Sequence, residues 1–372
     1  MVGGGQGAFI GEVHRFAARL DDRFELCAGA LSSEPERALA SALELGIAAE
    51  RSYSSFAEMA KSESARPDGV QAVAIVTPNH LHVAPALAML EAGIHVICDK
   101  PLSSDYQQAQ KLAEAVQASS AHFAVTYNYS AYPLIREARA MVAAGALGAL
   151  RLVQVEYPQD WLATDIETEG QKQAEWRTDP ARAGAGGCIG DIGTHAFHLA
   201  GFVSGQQPES LLADLSSFVA GRALDDNAHI LLRYADGARG MLWASQVAAG
   251  QENALRLRIY GELGSLEWMQ ENPNVLTHRP LGEPARTLTR GGAGTVAGAV
   301  TRLPPGHPEG FIEGFATLYR DFADLIEGTE GTEGTERTAG EHLPSVDDGV
   351  KGVRFVDAAV ESMARGSAWV KL

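Results

Sequence analysis

Apolar residues in the first third of the chain fall into short continuous runs rather than alternating ones. Residues 70–76 (Val-Gln-Ala-Val-Ala-Ile-Val), 94–98 and 122–126 are apolar on both faces, the pattern of strands buried on both sides of a sheet. Between them, 82–92 and 105–118 carry apolar positions at helical spacing. Upstream, 24–31 reads as a further strand, 35–45 as a helix, and 52–60 as a short segment of unassigned type. Ahead of all of these a glycine-rich turn, Gly3 to Gly11, leads into a helix at about 13–20. Doubly buried strands alternating with helices predict an α/β domain, a doubly wound parallel sheet over 1–128.

From about Tyr129 the alternation stops. A helix at 134–144 precedes a strand at 150–157, followed by a polar and aromatic segment, 158–185, that predicts no regular element. Loops of this length usually act as lids, binding loops or assembly arms. Four glycines and an alanine around 184–190 then run into a helix with Ile192, Ala196, Leu199 and Ala200 on its buried face. Strands follow in succession at 210–218, 228–234, 239–247 and 256–260, which predicts a mostly antiparallel sheet and an α+β domain over 129–345. In one of them Leu255, Leu257 and Ile259 alternate with Arg256 and Arg258, one face apolar and one basic. Residues 327–335 repeat Glu-Gly-Thr three times, so 327–341 reads as a flexible linker without the means to bury a core. A closing helix at 346–363, with Val350, Val353, Val356 and Val360 in one stripe, belongs to a C-terminal segment, 346–372.

Composition narrows the chemistry. A chain of 372 residues exceeds one ordinary core, so two domains are expected. No run approaches the roughly 18 apolar residues of a membrane span. A net charge of −17 argues against nucleic acid and anionic membrane as partners, though not against an anionic cofactor held locally. Cys27, Cys98 and Cys188 are scattered and odd in number; with no visible secretory signal they point to reduced thiols and a cytoplasmic location.

Three stretches carry candidate chemistry. Gly3-x-Gly5-x-x-Ala8 is a dinucleotide fingerprint: its glycines admit a pyrophosphate close to backbone, and the following helix start, with Gln6, Phe9 and Ile10, offers N–H groups to it. Only Met1 and Val2 precede these glycines, so either the natural chain begins earlier or the first strand is very short. Where the second strand ends, an NAD-binding fold usually places an acid; here Ser32 and Ser33 stand there, with Arg37 five residues on. The missing carboxylate permits NADP without excluding NAD. Thr77, Pro78, Asn79 and His82, then Asp99-Lys100-Pro101, lie beyond strand ends, where ligands of such sheets sit. Lys100, beside a carboxylate and followed by proline, is placed to donate to a substrate oxygen. Lastly, Asp191 and His195 are four apart, and so on one helical face. The plainer reading makes Asp191 a helix cap and His195 a core histidine. A zinc site from Cys188, Asp191, His195 and His198 is the third option.

The glycine turn, Thr77-Pro78-Asn79-His80-Leu81-His82, Cys98-Asp99-Lys100-Pro101 and Gly190-Asp191-Ile192-Gly193-Thr194-His195, in that order, resemble the glucose–fructose oxidoreductase/inositol dehydrogenase (Gfo/Idh/MocA) family. The stretch 259–268 is similar to that family's second-domain strand–turn–strand. The resemblance implies an NAD- or NADP-dependent oxidoreductase acting on a sugar, inositol or related polyol. Lys100, Asp191 and His195 would be its catalytic residues, with Asp99 and Lys100 near the cofactor. Independently of the resemblance, Trp161, Trp176 and Arg177 of the 158–185 segment, with Tyr127, are further candidates for contact with the substrate. The resemblance further implies a large open sheet through which a homodimer or homotetramer forms. Two departures stand out. Asp99 replaces the family's glutamate, and Tyr127-Asn128-Tyr129-Ser130 replaces a stretch that often ends in arginine. A non-catalytic dinucleotide-binding sensor on the same fold is the alternative.

Overall fold

The computed structural model describes residues 1–328 and 340–372, so most of the Glu-Gly-Thr repeat and of the expected linker lies outside the described residues. Two compact units emerge: Met1–Asn128 with Ile312–Val350, and Tyr129–Phe311 with Lys351–Leu372. Residues 312–328 and 340–345, which their position in sequence assigns to the second domain, thus group with the first unit.

In the first unit four parallel strands stand side by side: β1 (Val2–Gly3), β2 (Ala72–Val76), β3 (His95–Cys98) and β4 (Phe123–Val125). Ile75, Cys98 and Val125 are in register across the last three, and all are fully buried. Besides Phe311–Glu327 from the returning chain, the helices are Phe9–Leu20, Pro35–Glu44, Phe56–Ser64, Val83–Glu91 and Tyr106–Ala118. Asp105 caps the last of these by accepting from the Gln108 N–H. Residues 24–31 do not form the expected strand; only bridges at Ala30 to Val2 and Gly29 to Ser52 remain. The reason is the partner. A two-residue β1 offers Ala30 only its bonds with Met1 and Gly3. At the far edge, the Val125 N–H donates to the Pro344 carbonyl, so the returning chain covers β4.

The second unit is built on nine strands: β5 (Leu150–Pro158), β6 (Pro208–Ser216), β7 (Asn227–Tyr234), β8 (Arg239–Ser245), β9 (Arg256–Gly261), β10 (Gly264–Met269), β11 (Val275–Pro280), β12 (Arg286–Thr289) and β13 (Val370–Lys371). Their order is β12-β11-β10-β9-β5-β8-β7-β6-β13, and only the β5–β8 pair is parallel. On one face Leu257, Ile259 and Trp268 join a core with Leu134, Leu199 and Phe355 from the helices Pro133–Ala143, Thr194–Ser204 and Val346–Ala364. On the other face Arg256 and Arg258 pair with Glu156 and Glu267, while His229, Leu231 and Arg233 are exposed. No described helix is long and apolar enough to cross a membrane.

The segment 158–185 is more ordered than its sequence pattern indicates, containing short helices Lys172–Arg177 and Pro180–Ala183. Arg222 holds its first half. Its guanidinium, 1% exposed, donates to both Glu167 oxygens (2.8 and 2.9 Å), to Asp226 (3.1 Å) and to the carbonyls of Leu162 and Thr164. Asp226 in turn accepts from the Phe218 and Val219 N–H groups and is itself fully buried. Arg222→Leu leaves that carboxylate buried without its cation. Denaturant unfolding of the variant is expected to show a loss of about 3–5 kcal/mol, the usual cost of breaking a buried pair from one side; a loss within experimental error of zero contradicts this role for Arg222.

Candidate active site

The glycine turn of the first unit has the shape of a phosphate cradle. Gly3, Gly4 and Gly7 all take positive φ, +77°, +76° and +76°. A Cβ on Gly11 would lie 2.5 Å from the Gly4 Cα, so the close approach of helix to turn is made at Gly11. That corrects the fingerprint, which places the third small residue at Ala8; Ala8 is the helix N-cap and makes no side-chain cap bond. An added Cβ at Gly7 meets nothing within 4 Å, leaving open space beside an uncapped helix start. These residues fit the diphosphate of a dinucleotide.

The surrounding candidates are placed unevenly. Gln6 is stitched to the second helix: its N–H donates to Ser41, its amide to Glu44, and its carbonyl accepts from Arg37 at 2.9 Å. Arg37 therefore already uses one N–H on the turn itself. The Ser32 hydroxyl accepts from the Glu34 N–H, Ser33 is exposed, Phe9 is 65% exposed and Ile10 is half-buried. Thr77 donates its hydroxyl to the Leu81 carbonyl, with Pro78 half-buried and Asn79 buried at the start of the short 3₁₀ turn Asn79–Leu81. His82, expected at the cofactor, has no exposed surface. Its two ring nitrogens stand 2.8 Å from the Pro101 carbonyl and 2.7 Å from that of Thr77. A neutral ring carries one N–H and so donates to one of these two carbonyls. Burial pushes its titration below the usual imidazole range, against the opposing pull of Asp99. Asp99 is buried and accepts from the Thr126 hydroxyl at 2.7 Å; Lys100, next to it, is half-buried and joined to Pro101 by a cis peptide bond. Tyr127, a substrate candidate, is fully buried, and burial raises its hydroxyl pKa.

In the second unit the other pair is built on an irregular helix. Residues Ile189–Gly193 form a π-helical turn that continues into the α-helix Thr194–Ser204. Such turns occur often at functional sites. The glycines ahead of it serve the chain's own packing: a Cβ on Gly187 would lie 2.1 Å from the Asp225 carbonyl. The Asp225 carboxylate accepts from the N–H groups of Gly187 (2.6 Å) and Ile189 (2.9 Å) and from the Cys188 thiol (3.0 Å). Burial, with Asp225 alongside, holds that thiol protonated well above its usual range, opposite to what a zinc ligand needs. Among the described residues no group of three or more His, Cys, Asp or Glu is placed to hold a metal ion.

Asp191 does not cap the helix. Its carboxylate pairs with the Arg177 Nε at 3.2 Å and accepts from the Gln246 amide at 2.9 Å. Arg177 stacks on Trp176 (4.2 Å from its charge centre) and lies 5.9 Å from the Trp161 ring, so of the expected substrate residues Arg177 pairs with Asp191 and both tryptophans border that arginine. His195, 8% exposed, stands edge-on to Tyr129 at 4.9 Å and to Tyr157 at 6.4 Å. The two tyrosine hydroxyls bond each other at 2.5 Å, and that of Tyr157 donates to the Asn253 side chain. His198 stacks instead on Phe202. Gln246, Tyr157, Asn253 and Asp225 are absent from the sequence candidates. Each arrives from a strand end or turn remote in sequence, and no local motif marks it.

Comparison with known proteins agrees with this division. Residues 1–127 match the model "Oxidoreductase family, NAD-binding Rossmann fold" and residues 135–267 the "GFO/IDH/MocA C-terminal domain". An oxidoreductase structure from Sinorhizobium meliloti is 50% identical, covering 100% of this chain and 98% of its own, with a TM-score of 0.89. An inositol dehydrogenase homologue from Azotobacter vinelandii, solved with NADH and myo-inositol, is 38% identical over 100% of this chain and 96% of its own, with a TM-score of 0.92. Levoglucosan dehydrogenase of Pseudarthrobacter phenanthrenivorans is 29% identical, covering 100% of this chain and 96% of that protein. The first domain is thus an NAD-binding Rossmann domain, and the chain belongs to the GFO/IDH/MocA family of oxidoreductases.

Proposed function

We propose that the chain is an NAD(P)-dependent dehydrogenase of a sugar, inositol or related polyol, with Lys100, Asp191 and His195 as its catalytic residues. The observation that carries this reading lies at the π-helical turn. Asp191, half-buried in it, is paired with Arg177 and held by the Gln246 amide, and Arg177 stacks on Trp176. A hydroxyl compound bound there meets a carboxylate whose charge and orientation are set before it arrives. Names of the family members above, inositol and levoglucosan dehydrogenases, support the substrate class.

When bound, the nicotinamide supplies the hydride acceptor or donor, chemistry no side chain here provides. His195 takes the hydroxyl proton onto a ring nitrogen during oxidation and returns it during reduction. Lys100 donates to the reacting oxygen and stabilises its developing negative charge. Asp191, fixed by Arg177 and Gln246, orients a neighbouring hydroxyl rather than serving as the base, since a cation already holds it. Three free cysteines accord with a reducing, cytoplasmic setting. The exposed face of the nine-stranded sheet is the surface through which we expect a homodimer or homotetramer.

Two outcomes test the site. With a polyol that supports reduction of NAD+, His195→Ala is expected to lose about 10²- to 10⁴-fold in turnover, the worth of a positioned acid/base. Only neutral imidazole accepts a proton, so oxidation is expected to rise with pH as the imidazole deprotonates. The variant should lose that acid limb and still bind cofactor. A folded, cofactor-competent variant within about threefold of normal turnover removes His195 from the mechanism. The second outcome concerns the cofactor. With serine at position 32 in place of an acid, NADP+ is expected to bind within about 100-fold of NAD+, or roughly 2.7 kcal/mol. Fluorescence titration of both reads it, and a wider gap in favour of NAD+ assigns the discrimination to residues other than Ser32.

A further inference from the structure

His82 and Asp99 join three strand ends that flank Lys100. Thr77 follows β2, Asp99 to Pro101 follow β3, and Thr126 follows β4. The His82 ring spans the first two by facing the Thr77 and Pro101 carbonyls at 2.7 and 2.8 Å. Asp99 spans all three: its N–H donates to the Ile75 carbonyl at 2.9 Å, and its carboxylate accepts from Thr126. Behind it lies His14, fully buried, with Nε2 4.0 Å from that carboxylate and Nδ1 2.8 Å from the Tyr319 hydroxyl. So the residues on both sides of Lys100 are fixed, Asp99 by its side chain and backbone, Pro101 by its carbonyl. The shorter aspartate matters here. Its carboxylate stays among Thr126 and His14, inside the unit, and leaves the lysine as the half-buried member of the pair.

We infer that Thr126, Asp99 and His82 are positioning residues that hold the Lys100 side chain in one orientation toward the reacting oxygen. This rests on the reading of Lys100 above. The hydroxyl–carboxylate bond at the end of β4 and the histidine between two carbonyls fix the backbone on either side of the lysine, so removing either is expected to loosen Lys100.

The experiment reads the lysine directly. Lys100 is one of six lysines in the chain, so reductive methylation with ¹³C-formaldehyde gives few signals, and Lys100→Arg identifies its own. In the full-length protein with NAD+ present, Thr126→Val is expected to collapse the distinct Lys100 signal onto the position of exposed lysines. Thr126→Ser, which restores the hydroxyl, should return it. NAD+ affinity should stay within about twofold in both, while Thr126→Val slows turnover roughly 10- to 100-fold with little change in KM. A folded, NAD+-binding Thr126→Val protein whose Lys100 signal is unmoved overturns the inference. If that variant does not fold, His82→Gln, which keeps a donor for one carbonyl, takes its place in the same spectrum: a collapsed Lys100 signal supports the positioning role and an unmoved one overturns it. Turnover of Lys100→Met decides the separate matter of whether the lysine is catalytic: a normal rate there fails the functional reading, whatever the spectrum shows of its positioning.

Discussion

The Asp225 carboxylate receives the backbone N–H groups of Gly187 and Ile189, and everything about the Asp191–His195 helix starts from that anchor. A helix end buried without partners for its N–H groups is costly, and glycine-rich backbone has no side chains of its own to supply them. Asp225 supplies them from the turn before β7, and its neighbour Asp226 secures the same turn to Arg222. Two adjacent carboxylates thus face two tasks. One fixes the π-helical turn that carries Asp191; the other fixes the segment whose later half brings Arg177 to it. Burial works against the charge on Asp225, and the three donors around it offset that cost only in part, since its pKa remains raised.

Charge inside the protein is held in two ways despite the net −17. Four interior carboxylates pair with arginines, Glu63 with Arg51, Glu309 with Arg290, Asp226 with Arg222 and Asp191 with Arg177, while Asp225 and Asp99 accept from neutral donors. The exposed carboxylates are what make the chain acidic. A local anionic ligand is therefore compatible with the overall balance, because the glycine turn presents N–H groups and uncapped helix rather than side-chain charge.

Much of this was legible in sequence, for reasons that differ by region. Strands β2 to β4 are apolar on both faces, and continuous apolar runs between helical periods are what a sheet covered on both sides requires. Lys100 and the Asp191–His195 pair stood out because their motifs are local. What failed was nonlocal. The strand at 24–31 needs a partner of its own length, and β1 is two residues long. Asp191 looked like a cap because its partners, Arg177 and Gln246, lie 14 and 55 residues away. His82 looked like a cofactor ligand because its partners are carbonyl groups, which every residue has and no pattern reveals. Strands β11 and β12 carry little apolar alternation, and pairing alone makes them strands.

The division of the chain also bears on its birth. His14 meets Tyr319 across 305 residues, and the β4 edge waits for Pro344. During vectorial synthesis the Rossmann unit thus leaves the ribosome with its sheet edge open and one wall missing, and stays so until the whole intervening sheet domain has been made. The second unit waits in its turn for Ser362, whose hydroxyl accepts from the Ala213 N–H. Neither unit can finish before the other is nearly complete. A nascent chain stalled anywhere between 129 and 311 holds two unfinished cores, the state in which exposed strand edges most readily find the wrong partner.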